Sequence, residues 1–202
     1  MGMKKFLTLL AVLSAAIIFA SCASTMVQRV STDTVTDLSG RWNDTDSQLV
    51  AEQMVKEALE FPWLNKFLKA QGRNPRIIVG TISNKTDEHI DTDVFRKSIE
   101  RELIKSGTID FVASKDERSE VRDERSDQQD YSSDDTKKNF KGEAAADYML
   151  KGEVSSVVDQ ISGKKAVFYQ VDMNLIDMQS NSIVWPGQKQ IKKIIDRPGV
   201  GF

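Results

Sequence analysis

Val167-Phe168-Tyr169-Gln170-Val171-Asp172-Met173-Asn174-Leu175 is the stretch whose reading decides the fold. Val167, Tyr169, Val171, Met173 and Leu175 alternate with Gln170, Asp172 and Asn174, the period of two that puts one set of side chains on each face of a strand. Upstream, Leu150, Gly152, Val154, Ser156 and Val158 alternate with Lys151, Glu153 and Asp159, and Ser162-Gly163 supplies a turn between the two runs. They are expected to pair as the antiparallel strands of one hairpin. A second turn at Gln179 to Asn181 leads to Ile183-Val184-Trp185, where Pro186 restricts the strand to a sheet edge or a bulge because proline has no N–H for the ladder.

Further upstream the period changes. Arg76 to Ile82 is β-branched and nearly continuous in apolar residues, as a central strand covered on both faces requires. After the polar loop Ser83 to Ile90, Asp91 or Thr92 can cap a helix whose Phe95, Ile99 and Leu103 recur every four residues, with Gly107 as its stop. A strand from Ile109 to Ala113 would complete a β-α-β unit with parallel strands and a right-handed crossover. Before this unit, Thr45-Asp46-Ser47-Gln48 fits a capping box opening a helix that carries Val50, Ala51, Met54, Val55, Ala58 and Leu59. Pro62 suits the first turn of a second, shorter helix carrying Leu64, Phe67 and Leu68, which Gly72 and Pro75 end. The expected fold class is α/β (α+β), a mixed β-sheet with helices packed on it. Lys115 to Lys138 holds six basic and nine acidic residues with only Val121 and Tyr131 apolar, which reads as a solvated helix or a mobile loop.

The N-terminus has the build of a secretory signal. Lys4 and Lys5 precede the apolar run Phe6 to Ala20, whose length as a helix, ~22 Å at 1.5 Å per residue, falls short of the roughly 30 Å that a spanning segment must cross. Phe19-Ala20-Ser21-Cys22 resembles a bacterial lipobox, with Phe where Leu is usual, which makes Cys22, the sole cysteine of the chain, the expected site of lipidation. The bland alternative is a small residue at an ordinary cleavage site. Several acyl chains, at about 0.8 kcal/mol per buried methylene, give a stable membrane anchor. Ala23 rather than Asp follows the cysteine, which by resemblance to sorting rules indicates the outer membrane. The expected organisation is a signal peptide over 1–21, a lipidated cysteine and short tether over 22–37, and one globular domain over 38–202.

Composition excludes several classes of activity. Lys and Arg total 28 against 30 Asp and Glu. Without residues 1–21 the balance is 26 against 30, a net charge of −4, so a nucleic-acid partner is not expected. One cysteine and one histidine leave no internal disulfide, no Cys-rich metal site and no multi-histidine centre. There is no Gly-rich phosphate loop, Gly-x-Ser-x-Gly elbow or His-Glu-x-x-His, and Gly199-Val200-Gly201 has no helix after it to bind phosphate. Carboxylate pairs such as Asp123/Glu124 and Asp134/Asp135 lie in the charged segment, where nothing would desolvate them. His89 reads as a surface or capping residue, and Trp63 and Trp185 as core or edge anchors. No catalytic residue and no cofactor is expected. Leu38-Ser39-Gly40-Arg41-Trp42-Asn43-Asp44-Thr45-Asp46-Ser47 is the informative stretch for function. Trp42 either staples the entering chain onto the helix or, together with Arg41, forms part of an exposed partner-binding surface.

Together with Ala146-Asp147-Tyr148-Met149-Leu150-Lys151-Gly152-Glu153-Val154 and with Tyr169 to Asp177 leading to Val184-Trp185, this stretch resembles the LpoB family, the outer-membrane lipoprotein activators of penicillin-binding proteins. The resemblance implies a domain similar to the N-terminal domain of TolB, held on the outer membrane by lipid. It further implies a bifunctional peptidoglycan synthase as partner, and a stimulating rather than catalytic role. It departs from the family at the tether, which here runs only from Ala23 to Asp37 and contains no proline. A component of an envelope secretion or assembly complex is the alternative.

Overall fold

The computed structural model describes residues 2, 27–31, 34–138, 142–161 and 163–196. The signal segment apart from Gly2, Cys22, tether residues 23–26, 32 and 33, Ser162 of the hairpin turn and the terminal Gly199-Val200-Gly201 lie outside them. The chain divides between Thr34 and Val35, and every element below belongs to the second unit. In chain order these are α1 (Asp44–Glu60), α2 (Pro62–Gln71), β1 (Arg76–Asn84), α3 (Thr92–Lys105), β2 (Asp110–Phe111), α4 (Lys115–Tyr131), β3 (Tyr148–Ile161), β4 (Lys164–Asp177) and β5 (Ile183–Asp196). The strands form one sheet of order β2-β1-β3-β4-β5. β2 and β3 pair parallel to β1, and β3-β4-β5 is an antiparallel meander. The fold is mixed α/β, as the alternating and continuous apolar runs require.

The alternation of β4 sets the layers. Tyr169, Val171, Met173 and Leu175 face the core with Tyr148, Leu150 and Val154 of β3 and Trp185 of β5, and α1 and α3 cover that face with Val50, Met54, Phe95, Ile99 and Leu103. The opposite face of β4 and β5 carries Gln170, Asp172, Gln188 and Gln190, joined by side-chain hydrogen bonds of 2.8–3.0 Å. Trp185 is fully buried, and its ring lies so closely over Gly187 that a Cβ there would collide with it. Glycine is thus required two residues beyond the tryptophan by close approach. The void between α1, α3 and the sheet is ≈ 10 Å³, room for about one water.

Three sequence expectations are corrected, and a fourth, the edge strand carrying Pro186, is met and extended. The first helix is capped two residues earlier than Thr45-Gln48 predicts: Asn43 Oδ1 accepts from the Asp46 N–H at 3.0 Å and Asp46 Oδ2 accepts from the Asn43 N–H at 3.0 Å. Asparagine caps at least as well as threonine, and Asp46 closes the box in place of the usual Glu or Gln. The strand expected from Ile109 to Ala113 pairs over only Asp110–Phe111, while Ile109 and Val112 turn into the core on either side. β1 runs two residues past Ile82, to Asn84. β5 does not stop at Trp185. It takes Pro186 at the outer edge of the sheet, opposite Asn174, just after an irregularity of register between Ile183 and Trp185, and continues to Asp196.

The charged segment is a helix, α4, with no buried residue. What holds it is polar: Ser114 and Glu117 form a capping box, and Lys97 Nζ of α3 donates to Glu117 Oε1 at 2.7 Å. The Lys97 hydrogen bond, and after it those from Ser114, hold the Glu117 carboxyl down to about 2, against an ordinary value of 4.5. A depressed carboxyl contributes stability that is present above the ordinary value and lost as the pH falls through the folded one. Helicity of α4 is therefore expected to decline between about pH 4.5 and pH 2. In Glu117→Gln that decline should be smaller, the remainder coming from Glu143, whose carboxyl is also held low by Arg122 and Arg125 of α4, with lower helicity at neutral pH, as read by circular dichroism and residue-resolved amide exchange.

Candidate functional site: a latched N-terminal strap

The segment Val35–Asn43, which brings the chain into α1, is laid along the domain and fastened at three points. Lys193 of β5 is the first. Its Nζ donates to Asp46 Oδ2 at 2.6 Å, to Asp37 Oδ2 at 2.9 Å and to the Arg41 carbonyl at 2.9 Å, with only 9% of the side chain exposed. Burial works against the ammonium, but the two carboxylates outweigh it and the lysine titrates above its ordinary value. Asp37 also accepts from the Gly40 N–H at 2.9 Å, closing a tight loop in which Gly40 has φ +67° and sits against Ile195. That left-handed φ and that contact make glycine necessary.

Trp42 is the second point. Its ring, half-buried, meets Phe95 of α3 and Tyr169 of β4 edge-on, at centroid distances of 5.8 and 5.6 Å. Its indole N–H donates to Ser47 Oγ at 2.8 Å, and Ser47 in turn donates to the Asn43 carbonyl at 3.1 Å. The packing is that of a staple. Glu88 is the third point, accepting from the Trp42 backbone N–H at 3.1 Å. The loop before α3 is shaped to present Glu88, since Asn84 Nδ2 donates to its carbonyl at 2.7 Å and Asn84 Oδ1 accepts from the Thr86 N–H at 2.9 Å. The buried Tyr169 hydroxyl approaches Glu88 without reaching bonding geometry, and burial first, then the Glu88 carboxylate, pushes the phenol well above its ordinary value.

Arg41, by contrast, is exposed, with only its backbone engaged: the N–H donates to Ser39 Oγ at 3.3 Å. The two residues singled out together thus part company: Trp42 points into the domain and Arg41 lies outside it. His89 is exposed, and Asp91 caps α3. Lys193, Glu88 and Tyr169 are the residues that sequence reasoning missed. At the other end of the meander an open cleft of ≈ 470 Å³ is lined by Phe67, Arg73, Asp147, Tyr148 and Gln179 among others. Its two central charges satisfy one another: Arg73 donates to both Asp147 oxygens at 2.8 Å and stacks 5.1 Å above Phe67. Among the described residues no group of three or more His, Cys, Asp or Glu is placed to hold a metal ion. No helix among them is long and apolar enough to cross a membrane.

A meander-edged mixed sheet, helices on one face, and an N-terminal strap fastened by a lysine and a tryptophan define a small α/β domain. The chain belongs to the LpoB family: the model of the peptidoglycan-synthase activator LpoB matches residues 46–191. The chain is similar in structure to the LpoB C-terminal domain from Salmonella enterica, with TM-score 0.41 and 16% identity over 73% of this chain and 99% of that one. It is similar also to that of Escherichia coli, with TM-score 0.39 and 17% identity over 71% and 98%. A lipoprotein from Neisseria meningitidis matches with TM-score 0.39 and 10% identity over 59% and 83%. A comparison with curated proteins returned no match in sequence.

Removing the lysine tests the latch. Lys193→Met leaves Asp46 and Asp37 without their cation, which for a mostly buried pair costs about 3 kcal/mol. The expected result is that loss in chemical denaturation, together with faster amide exchange over residues 37–42. In the unaltered protein the raised lysine contributes stability fully present below its ordinary 10.5 and lost as the pH rises through the folded value.

Proposed function

We propose that this chain is an outer-membrane lipoprotein, lipidated at Cys22, whose domain over 38–202 binds a bifunctional penicillin-binding protein and stimulates it without a catalytic group of its own. The family match over residues 46–191 carries this reading, because the family is one of activators of peptidoglycan synthases. An activator needs only to bind the active conformation of its synthase more tightly than the inactive one, and its maximal effect equals that difference in affinity. A well-packed domain with a fixed surface supplies such contacts. Arg41 is offered as a direct contact, held on a rigid strap with its side chain exposed. Trp42 contributes to the same surface chiefly by keeping the strap in place.

Saturating amounts of the protein should raise the rate of glycan polymerisation or crosslinking by the cognate synthase and show no activity alone. Arg41→Ala should keep its thermal midpoint and lose roughly 2 kcal/mol of binding, whereas Trp42→Ala should lose midpoint and binding together. An unchanged synthase rate, measured against several synthases, would refute the activator reading, and co-purification with a pore or assembly partner would favour the secretion-complex alternative. Cys22→Ser should release the protein from membranes washed with high salt; retention would refute lipidation.

A further inference from the structure

Exposed apolar side chains gather at one end of the meander. Val157 is 66% exposed, Val158 45%, Ile161 75% and Ile194 64%, and on the strap Val35 is 74% and Leu38 93% exposed. The register places Val157, Ile161 and Ile194 on the outward face, where Val157 pairs with Phe168 and Ile194 with Ala166 one step further along, and places Val158, opposite Val167, on the inward face beside the strap, so the apolar side chains border this tip from both sides. Lys164, Lys165 and Lys192 stand around them, against two acids at the same end, Asp159 opposite Ala166 and Asp196 3.9 Å from Lys164. Leu38 is not exposed through slackness, since Asp37 before it is bound to Lys193 and Gly40 after it lies on Ile195. The latch holds a leucine in solvent, an arrangement that loses the burial free energy of a whole side chain unless something covers it.

The same end is where the chain leaves the domain. Lys193 pairs with Val167 and Val167 with Val158, so Asp37 is fixed on β5 about two strand widths, ~10 Å, from Val158 on β3, and about four residues, ~13 Å along the strands, short of the β3–β4 turn. Between Cys22 and Asp37 the chain could reach ~50 Å fully extended and about 20 Å as a coil. We propose that this end of the domain rests on the lipid surface to which Cys22 is attached, its valines, isoleucines and leucine entering the headgroup region while its lysines meet anionic phosphates. The proposal rests on the lipid-anchored reading of Cys22 given above. Composition favours lipid over a protein partner, because protein interfaces concentrate Trp, Tyr and Arg and are depleted of Lys, whereas aliphatic side chains with lysines in excess of acids suit an anionic bilayer. Proximity adds to this, since a short tether keeps this end of the domain close to the membrane.

The test installs the anchor by chemistry, so that its outcome does not depend on natural lipidation or on any synthase. The chain from Cys22 onward is coupled through its thiol to a maleimide lipid in vesicles of phosphatidylethanolamine and phosphatidylglycerol. The photocrosslinker p-benzoylphenylalanine is placed at position 157, 194 or, at the far end of the sheet, 179. Lipid adducts at 157 and 194 at least tenfold above those at 179 are expected, and Val157→Glu with Ile161→Glu should reduce the adduct at 194 several-fold without changing the circular dichroism spectrum. Equal adducts at all three positions would overturn the proposal. So would adducts at 157 and 194 that are to a second copy of the chain, or to added synthase, in place of lipid.

Discussion

One ammonium group ties the structure together. Lys193 Nζ is shared by a carboxylate on the strap, a carboxylate in the first turn of α1 and a strap carbonyl, so it joins the last strand, the first helix and the entering chain at one point. Asp46 serves twice, closing the capping box with Asn43 and receiving the lysine. The start of α1 and the far half of β5 therefore depend on each other, although 147 residues separate them in sequence. Such an arrangement gives less net stability than an apolar contact of the same size and more definition of geometry, since an unpaired charge has nowhere else to go.

The core imposes a complementary constraint. Trp185 is pressed on Gly187, and the void beneath the helices, ≈ 10 Å³, has room for about one water. The packing of strap, helices and sheet is kept in register by edge-on aromatic contacts such as Trp42 with Tyr169 and Trp63 with Tyr148.

The sheet was legible wherever a strand had one wet face. The residues from Tyr169 to Leu175 alternate cleanly because β4 is covered by helices on one side and carries Gln170, Asp172 and Asn174 on the other. β5 was legible only to Trp185, and the reason is the latch itself: the inward positions beyond it include Lys189 and Lys193, so the apolar alternation fails where a charge faces the domain. The Leu38 to Ser47 run could be recognised as informative, but its partners could not. Glu88 and Tyr169 are chosen by tertiary contact, and a glutamate in a polar loop or a tyrosine in a strand gives no local sign of it. The cap moved to Asn43 because Asp46, acceptable in place of Glu, closes a box that the pattern of Thr45 and Gln48 had seemed to offer.

The three long strands have a mechanical consequence. β3, β4 and β5 are each 14 residues, and at about 3.3 Å per residue they form a ribbon roughly 45 Å long. The strap joins that ribbon near one tip, so the opposite tip stands off from the attachment point by nearly the full length. A flexible spacer of equal span loses conformational freedom whenever its far end is captured, whereas hydrogen-bonded backbone has surrendered that freedom already on folding. The separation of the two tips, set by hydrogen-bonded backbone, is therefore maintained at no further entropic cost.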